Sequence, residues 1–259
     1  MKILIAILFL VSTVVIHEYG HYKVGMLLGI KPQEVGIGFG PKIYQKQCKN
    51  YKFVIRLFPF GGYVSHGDDM FKEKNFYEAA PWKRLLLALA GPLSNVIYAF
   101  VLLLIMGIYI QIRESGFSLI NLFNSILNAG KYTYQMGAEV VESTIYHFSN
   151  NVKTTEDFVN SFAGPVKAIS IMTMYLTKFE YTILLFAGLN MGLFIFNILP
   201  FPALDGWVIL VAIMEMISRK RANIKIITTI NFVGFVIVFI ASMIVLFWDI
   251  ISKLILNRY

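Results

Sequence analysis

Residues 3–16 carry no charged group and lead straight into His17-Glu18-Tyr19-Gly20-His21, after which residues 24–30 are apolar again. A helix built here takes three ionisable side chains to membrane depth, where such groups are costly and need a purpose or a partner. On that helix His17 and His21 fall at i and i+4 on one face, the spacing at which two imidazoles grip one zinc ion. Glu18 then lies beside the ion, placed to take a proton from water. The same residues also allow a plainer reading, a histidine pair hydrogen-bonded across a helix bundle with Glu18 as its counter-ion.

The chain has 259 residues, 57% of them hydrophobic, which is the composition of an integral membrane protein. The expected fold class is an all-α polytopic membrane protein with about four transmembrane helices and a small membrane-associated β-hairpin. The spans are expected at about 2–29, 82–110, 181–200 and 226–250, within one membrane-embedded domain covering 1–259. Residues 1–16 resemble a signal peptide but lack a small-residue cleavage site, so they read as a retained span. The net charge of +8 does not point to nucleic acid, because Lys and Arg sit in loops beside apolar spans. Cys48 is the only cysteine, which excludes an intrachain disulfide and a cysteine-based zinc site. Lys23, Lys31, Lys42, Lys46, Lys49, Lys52 and Arg56 follow the first span. By the positive-inside rule that side is cytoplasmic, both termini are outside, and His17 lies ~22–24 Å along the span, near the cytoplasmic face.

Tyr51, Phe53, Ile55 and Leu57 alternate with Lys52, Val54 and Arg56, a strand pattern. With residues 43–47 before it and Gly and Pro on both flanks, 34–64 reads as a β-hairpin, or more plainly as a cytoplasmic hairpin loop. Residues 65–81 read as a solvated connector, in which His66 is a loop histidine rather than a ligand. In the second span Gly91-Pro92-Leu93-Ser94-Asn95 reads first as a kink with close helix packing and second as part of a site. Leu119, Ile120, Phe123, Ile126 and Leu127 share one helical face, as in a helix on the outer membrane surface. Residues 131–157 are polar, and 158–178 fit either a surface helix or a short extra span.

A catalytic zinc site takes three protein ligands and leaves one position open. Asp205 is the only acidic residue between Glu180 and Glu215, and Pro200 and Pro202 break the helix before it. Its depth matches that of His17, so it is the candidate third ligand; the competing role is N-cap of the next helix. Glu18 is the candidate general base. Asn197 is placed to hydrogen-bond the substrate backbone or an oxyanion, or else a neighbouring helix.

The histidine motif, the segment ending Pro59-Phe60-Gly61-Gly62-Tyr63-Val64, Gly91-Pro92-Leu93-Ser94-Asn95, and Asn197-Ile198-Leu199-Pro200-Phe201-Pro202-Ala203-Leu204-Asp205-Gly206 stand in order along most of the chain. Together they resemble the site-2 protease family of intramembrane zinc metalloproteases, whose N-x-x-P-x-P-x-L-D-G pattern the last segment matches at every fixed position. The resemblance implies a Zn2+ cofactor on His17, His21 and Asp205, with Glu18 as base. It implies that Asn197, Pro200 and Pro202 position substrate and that the hairpin re-enters the membrane of a bacterial cell. The implied substrates are transmembrane segments, as in anti-sigma factors or signal-peptide remnants. A hairpin edge accepts an unwound segment as an added strand, which makes Phe53, Ile55, Gly61 and Gly62 candidate contacts. Many relatives carry a PDZ domain between spans two and three, whereas 111–180 lacks the alternating strands it requires, so this reads as a minimal member. Two other functions compete. A catalytically silent membrane binder has no need of Glu18, and a metal transporter calls for inverted repeats that are not present.

Overall fold

The computed structural model describes residues 2–49, 51–66, 74–116, 118–150 and 165–254. In chain order the elements are α1 (Lys2–Leu28), β1 (Glu34–Gln47), β2 (Lys52–Ser65), α2 (Lys74–Glu78), α3 (Pro81–Ser115), α4 (Leu119–Asn150), α5 (Pro165–Tyr175), α6 (Phe179–Ile198), α7 (Asp205–Ser218) and α8 (Ile224–Leu254). Four helices among the described residues are long and apolar enough to cross a membrane: Lys2–Leu28, Pro81–Ser115, Phe179–Ile198 and Ile224–Ile251. Their flanks expose Leu4, Leu8, Val11, Ile97, Ile105, Ile237, Ile240 and Ile244, an apolar surface suited to lipid rather than water. The protein is an integral membrane protein.

The chain divides into two compact units, the first comprising residues 1–10, 96–195 and 237–259, the second 11–95 and 196–236. The first has a core of Ala6, Ala99, Leu102, Leu103, Ala129, Ile183, Phe186, Ala187 and Met191, with Phe9 stacked on Phe186 at 3.9 Å. In it α4 forms one continuous helix of 32 residues, longer than the expected surface helix. Its buried stripe includes Ser125, Ala129 and Thr133, and its opposite face exposes Leu119, Ile120, Phe123, Tyr134 and Ile145. Residues 158–164 lie outside the described residues. The next element is the 11-residue helix α5, about 17 Å long and too short by itself to span a bilayer. The described residues of 111–180 contain no strand.

The second unit holds every motif singled out above. α1 ends in a Schellman cap: the Ile30 N–H donates to Gly25 O at 2.9 Å, and Gly29, at φ 76°, makes the left-handed turn. Pro81 opens α3 at a position where no helical N–H is needed. α1 and α3 meet backbone to backbone, since a Cβ on Gly20 would lie 2.2 Å from Ser94 Oγ and 2.5 Å from Ala90 O. Small residues allow that approach, which is the usual device for joining helices in lipid.

The β-element is richer than a hairpin. β1 and β2 are each bent, with positive φ at Gly38, Gly40 and Gly61. The expected hairpin is present as 42–47 paired antiparallel with 52–56. In addition, 34–37 pairs in parallel with 52–55 and antiparallel with 62–65. The segments therefore lie in the order 42–47, 52–56, 34–37, 62–65, and among the described residues 62–65 is one edge. Glu34 binds them together, accepting from Lys42 Nζ at 2.7 Å, from Arg56 Nη2 at 2.8 Å and from the Tyr63 hydroxyl. Burial alone would raise the Glu34 carboxyl, but those hydrogen bonds outweigh it and hold it below the ordinary carboxylate range. Burial, and then the bond to Glu34, pushes the Tyr63 hydroxyl up to about 12.

One buried ion pair fixes the start of α3. Arg84, 1% exposed, bonds Glu215 of α7, whose other oxygen accepts the Ala222 N–H at 3.0 Å. Arg221 lies 3.6 Å from Glu215 and also donates to Ala79 O at 2.7 Å. Removing one member of such a pair strands a buried charge, so Glu215→Ala is expected to cost about 3–5 kcal/mol. A clear drop in melting temperature in detergent, against an unchanged Lys220→Ala control, checks this.

Candidate metal centre

The helix of α1 puts His17 and His21 on one face, as the spacing requires. Their Nε2 atoms lie 3.3 Å apart. Asp205, 188 positions after His17, reaches the same point from the break between α6 and α7. Its Oδ2 is 3.2 Å from His17 Nε2 and its Oδ1 is 3.4 Å from His21 Nε2. The three side chains are only 10%, 12% and 20% exposed.

The break itself follows from the sequence. Pro200 and Pro202 stop α6, and Ala203 takes a left-handed turn at φ 77°, a strained conformation for a residue with a side chain. Asn231 of α8 holds that turn: its Oδ1 accepts the Ala203 N–H at 3.3 Å while its Nδ2 donates to the Tyr77 hydroxyl at 2.9 Å. Gly206 packs where a Cβ would lie 2.2 Å from Leu199 O, which is why the motif ends in glycine. The N-cap position of α7 is Leu204, without a side-chain cap. The Asp205 carboxylate is thus the first helical residue's side chain, turned to the histidines, and the helix N-terminus stabilises its charge.

The residues fit a metal ion. Three donor atoms of the types zinc prefers converge within 4.8 Å of one another. Asp205 Oδ2 is buried and makes no hydrogen bond, so it stands ready to coordinate. Gly91 of α3 faces the donors, where a Cβ would sit 2.2 Å from His21 Nε2 and 2.8 Å from His17 Nε2. The outward nitrogens are held as well, His21 Nδ1 by Leu87 O at 2.8 Å and His17 Nδ1 by the Asn95 amide at 3.2 Å.

A cavity of about 350 Å³ opens on these residues. Glu18, Asn197 and Gly62 line it, together with Tyr63, Val64, His66, Tyr77 and Asn231. The Val64 N–H donates to the Glu18 carboxylate. Pro200, Pro202 and Gly61 are outside the lining, and Pro202 packs instead against Gly234 of α8. Phe53 and Ile55 are not edge residues: Phe53 pairs with Val35 and Lys46, and Ile55 with Ile37 and Tyr44. The edge beside Glu18 is 62–65. His66, 4% exposed, is a cavity residue, and burial, aided by the nearby His21, pushes its imidazole down to about 4. A signal for Asn231 existed in the sequence, a lone amide inside the last apolar span; for Tyr77 there was none.

The chain is similar to known proteins along most of its length. The model of peptidase family M50 matches residues 5–241. A candidate zinc metalloprotease of Clostridium perfringens is 24% identical over 97% of this chain and 99% of its own length. One from Clostridium acetobutylicum is 24% identical over 96% of this chain and 97% of its length. A candidate zinc metalloprotease of Thermotoga maritima is 38% identical over 112 residues, 40% of this chain and 22% of its own length. With one family model running from the first span into the last, the chain belongs to peptidase family M50, the site-2 protease family of membrane zinc metalloproteases.

Proposed function

We propose that this protein is an intramembrane endopeptidase that hydrolyses peptide bonds in transmembrane segments of other proteins. The observation that carries the reading is the convergence of the Asp205 carboxylate on the His17 and His21 nitrogens, with Glu18 in the same cavity. His17, His21 and Asp205 would hold the zinc. When bound, zinc supplies Lewis-acid activation of water and of the scissile carbonyl.

The chain's own residues do the rest. Glu18 accepts the proton of the attacking water and returns it to the leaving amine, and the Val64 N–H keeps its carboxylate oriented meanwhile. Asn197 lines the cavity and offers an amide donor to the carbonyl oxygen as charge develops there. The 62–65 edge supports a route for substrate. A transmembrane helix must unwind before its backbone reaches the site, and an unwound segment pairs naturally with a strand edge. The Lys and Arg residues of the second unit, including Lys23, Lys31, Lys83, Arg219 and Lys220, support a site near the cytoplasmic face with both termini outside.

The test is cleavage of a model transmembrane peptide by the purified protein in detergent. One zinc per chain and cleavage that stops with a strong chelator and returns with zinc are expected. Cleavage that continues after the zinc has been stripped overturns the proposal, as does a silent, metal-free protein.

A further inference from the structure

We infer that Asn95 is a positioning residue for His17, accepting a hydrogen bond from His17 Nδ1–H and so fixing which ring nitrogen faces the metal. The inference rests on the zinc-site reading above. His17 directs Nε2 at His21 and Asp205, so Nε2 is the nitrogen a metal would take. A neutral imidazole bare at Nε2 carries its proton on Nδ1. That proton needs an acceptor, and the Asn95 side chain, wholly buried, is the group at 3.2 Å.

The two ends of an asparagine amide are told apart only by their surroundings. With the amine toward Nδ1, two donors face each other once the ring is in its metal-binding tautomer, and Asn95 Oδ1 is left buried without a hydrogen bond. With Oδ1 toward Nδ1, the ring proton has its acceptor. Only this orientation agrees with a bare Nε2.

The arrangement also gives one face of α3 a single purpose. Leu87, Gly91 and Asn95 are spaced four apart and so lie on one side of the helix. The Leu87 carbonyl orients His21, Gly91 leaves room between the donor nitrogens, and Asn95 orients His17. The Gly-Pro-Leu-Ser-Asn stretch is therefore an outer layer of the metal centre as well as a packing motif. Such outer partners typically contribute 10–100-fold in metal affinity.

Three variants test this: Asn95→Leu, which keeps the branched heavy-atom outline with more bulk and loses the acceptor; Asn95→Ala, which loses both outline and acceptor; and Asn95→Asp, which keeps both. Zinc affinity is read by competition with a chromophoric chelator, and the visible spectrum of the cobalt-loaded protein reads ligand geometry. The expected result is about 10–100-fold weaker zinc binding and an altered cobalt spectrum for Leu and Ala, with Asp restoring affinity to within about threefold of wild type. Wild-type affinity in Asn95→Leu or Asn95→Ala overturns the inference. So does an Asn95→Asp protein that folds yet binds as weakly as the Ala variant, since Asn95 would then be a packing residue. If Leu does not fold, the Ala and Asp pair decides. Wild-type protein that binds no zinc at all is a different failure, that of the zinc-site reading itself.

Discussion

Glu18→Gln is expected to lower the cleavage rate by about 10²–10⁴-fold while zinc content stays at the wild-type level. The substitution keeps the shape of the side chain and its place beside Gly62, where a Cβ would lie 3.2 Å from Glu18 Cγ. It also keeps an oxygen to accept the Val64 N–H. The ability lost is that of holding a proton between the attack on the carbonyl and the departure of the amine. Glu18 is not one of the three converging donors, so the metal has no reason to leave. Two measurements decide the matter, the initial rate on a transmembrane peptide and metal content by elemental analysis. A Gln variant that cleaves at the wild-type rate removes Glu18 from the mechanism. A variant that loses zinc moves it into the ligand set.

Gly91→Ala is expected to abolish zinc binding, with an affinity loss exceeding about 100-fold, and to abolish cleavage with it. The added methyl would stand 2.2 Å from His21 Nε2, 2.7 Å from His21 Cε1 and 2.8 Å from His17 Nε2. A metal ion needs its nitrogens at ~2.0–2.1 Å, so the methyl displaces the rings or fills the space an ion needs. The loss cannot be laid on the helix, because alanine is the better helix former by about 1 kcal/mol. Gly130→Ala is the control: a Cβ there meets nothing within 4 Å. Zinc titration of the two variants side by side, with helix content followed by circular dichroism, is the measurement. Wild-type affinity in Gly91→Ala would falsify the placement of the ion between these nitrogens.

The parts of this architecture that were legible in the sequence are those set by local rules. Span positions follow from hydropathy, and the i, i+4 histidines share a face because a helix has 3.6 residues per turn. Asp205 stood out because acidic residues are scarce at that depth and two prolines had already broken the helix before it. The β-element was harder. The pairing of 42–47 with 52–56 is local and was readable, whereas that of 34–37 with both 52–55 and 62–65 is not. Hence Phe53 and Ile55 read as edge residues although the edge is ten residues further on. Asn95 and Gly91 read as packing residues because their role exists only once α3 lies against α1, and no periodicity encodes which side chain then faces which nitrogen. His66 read as a loop residue for the same reason, since its burial depends on the fold around it.

Gly20 meets the Ala90 carbonyl and the Ser94 hydroxyl, so the one side chain at this contact is small and is itself tied to Ala90 O at 2.7 Å. Any widening there would draw Leu87, Gly91 and Asn95 of α3 away from His17 and His21, so the tight helix contact and the histidine geometry stand or fall together.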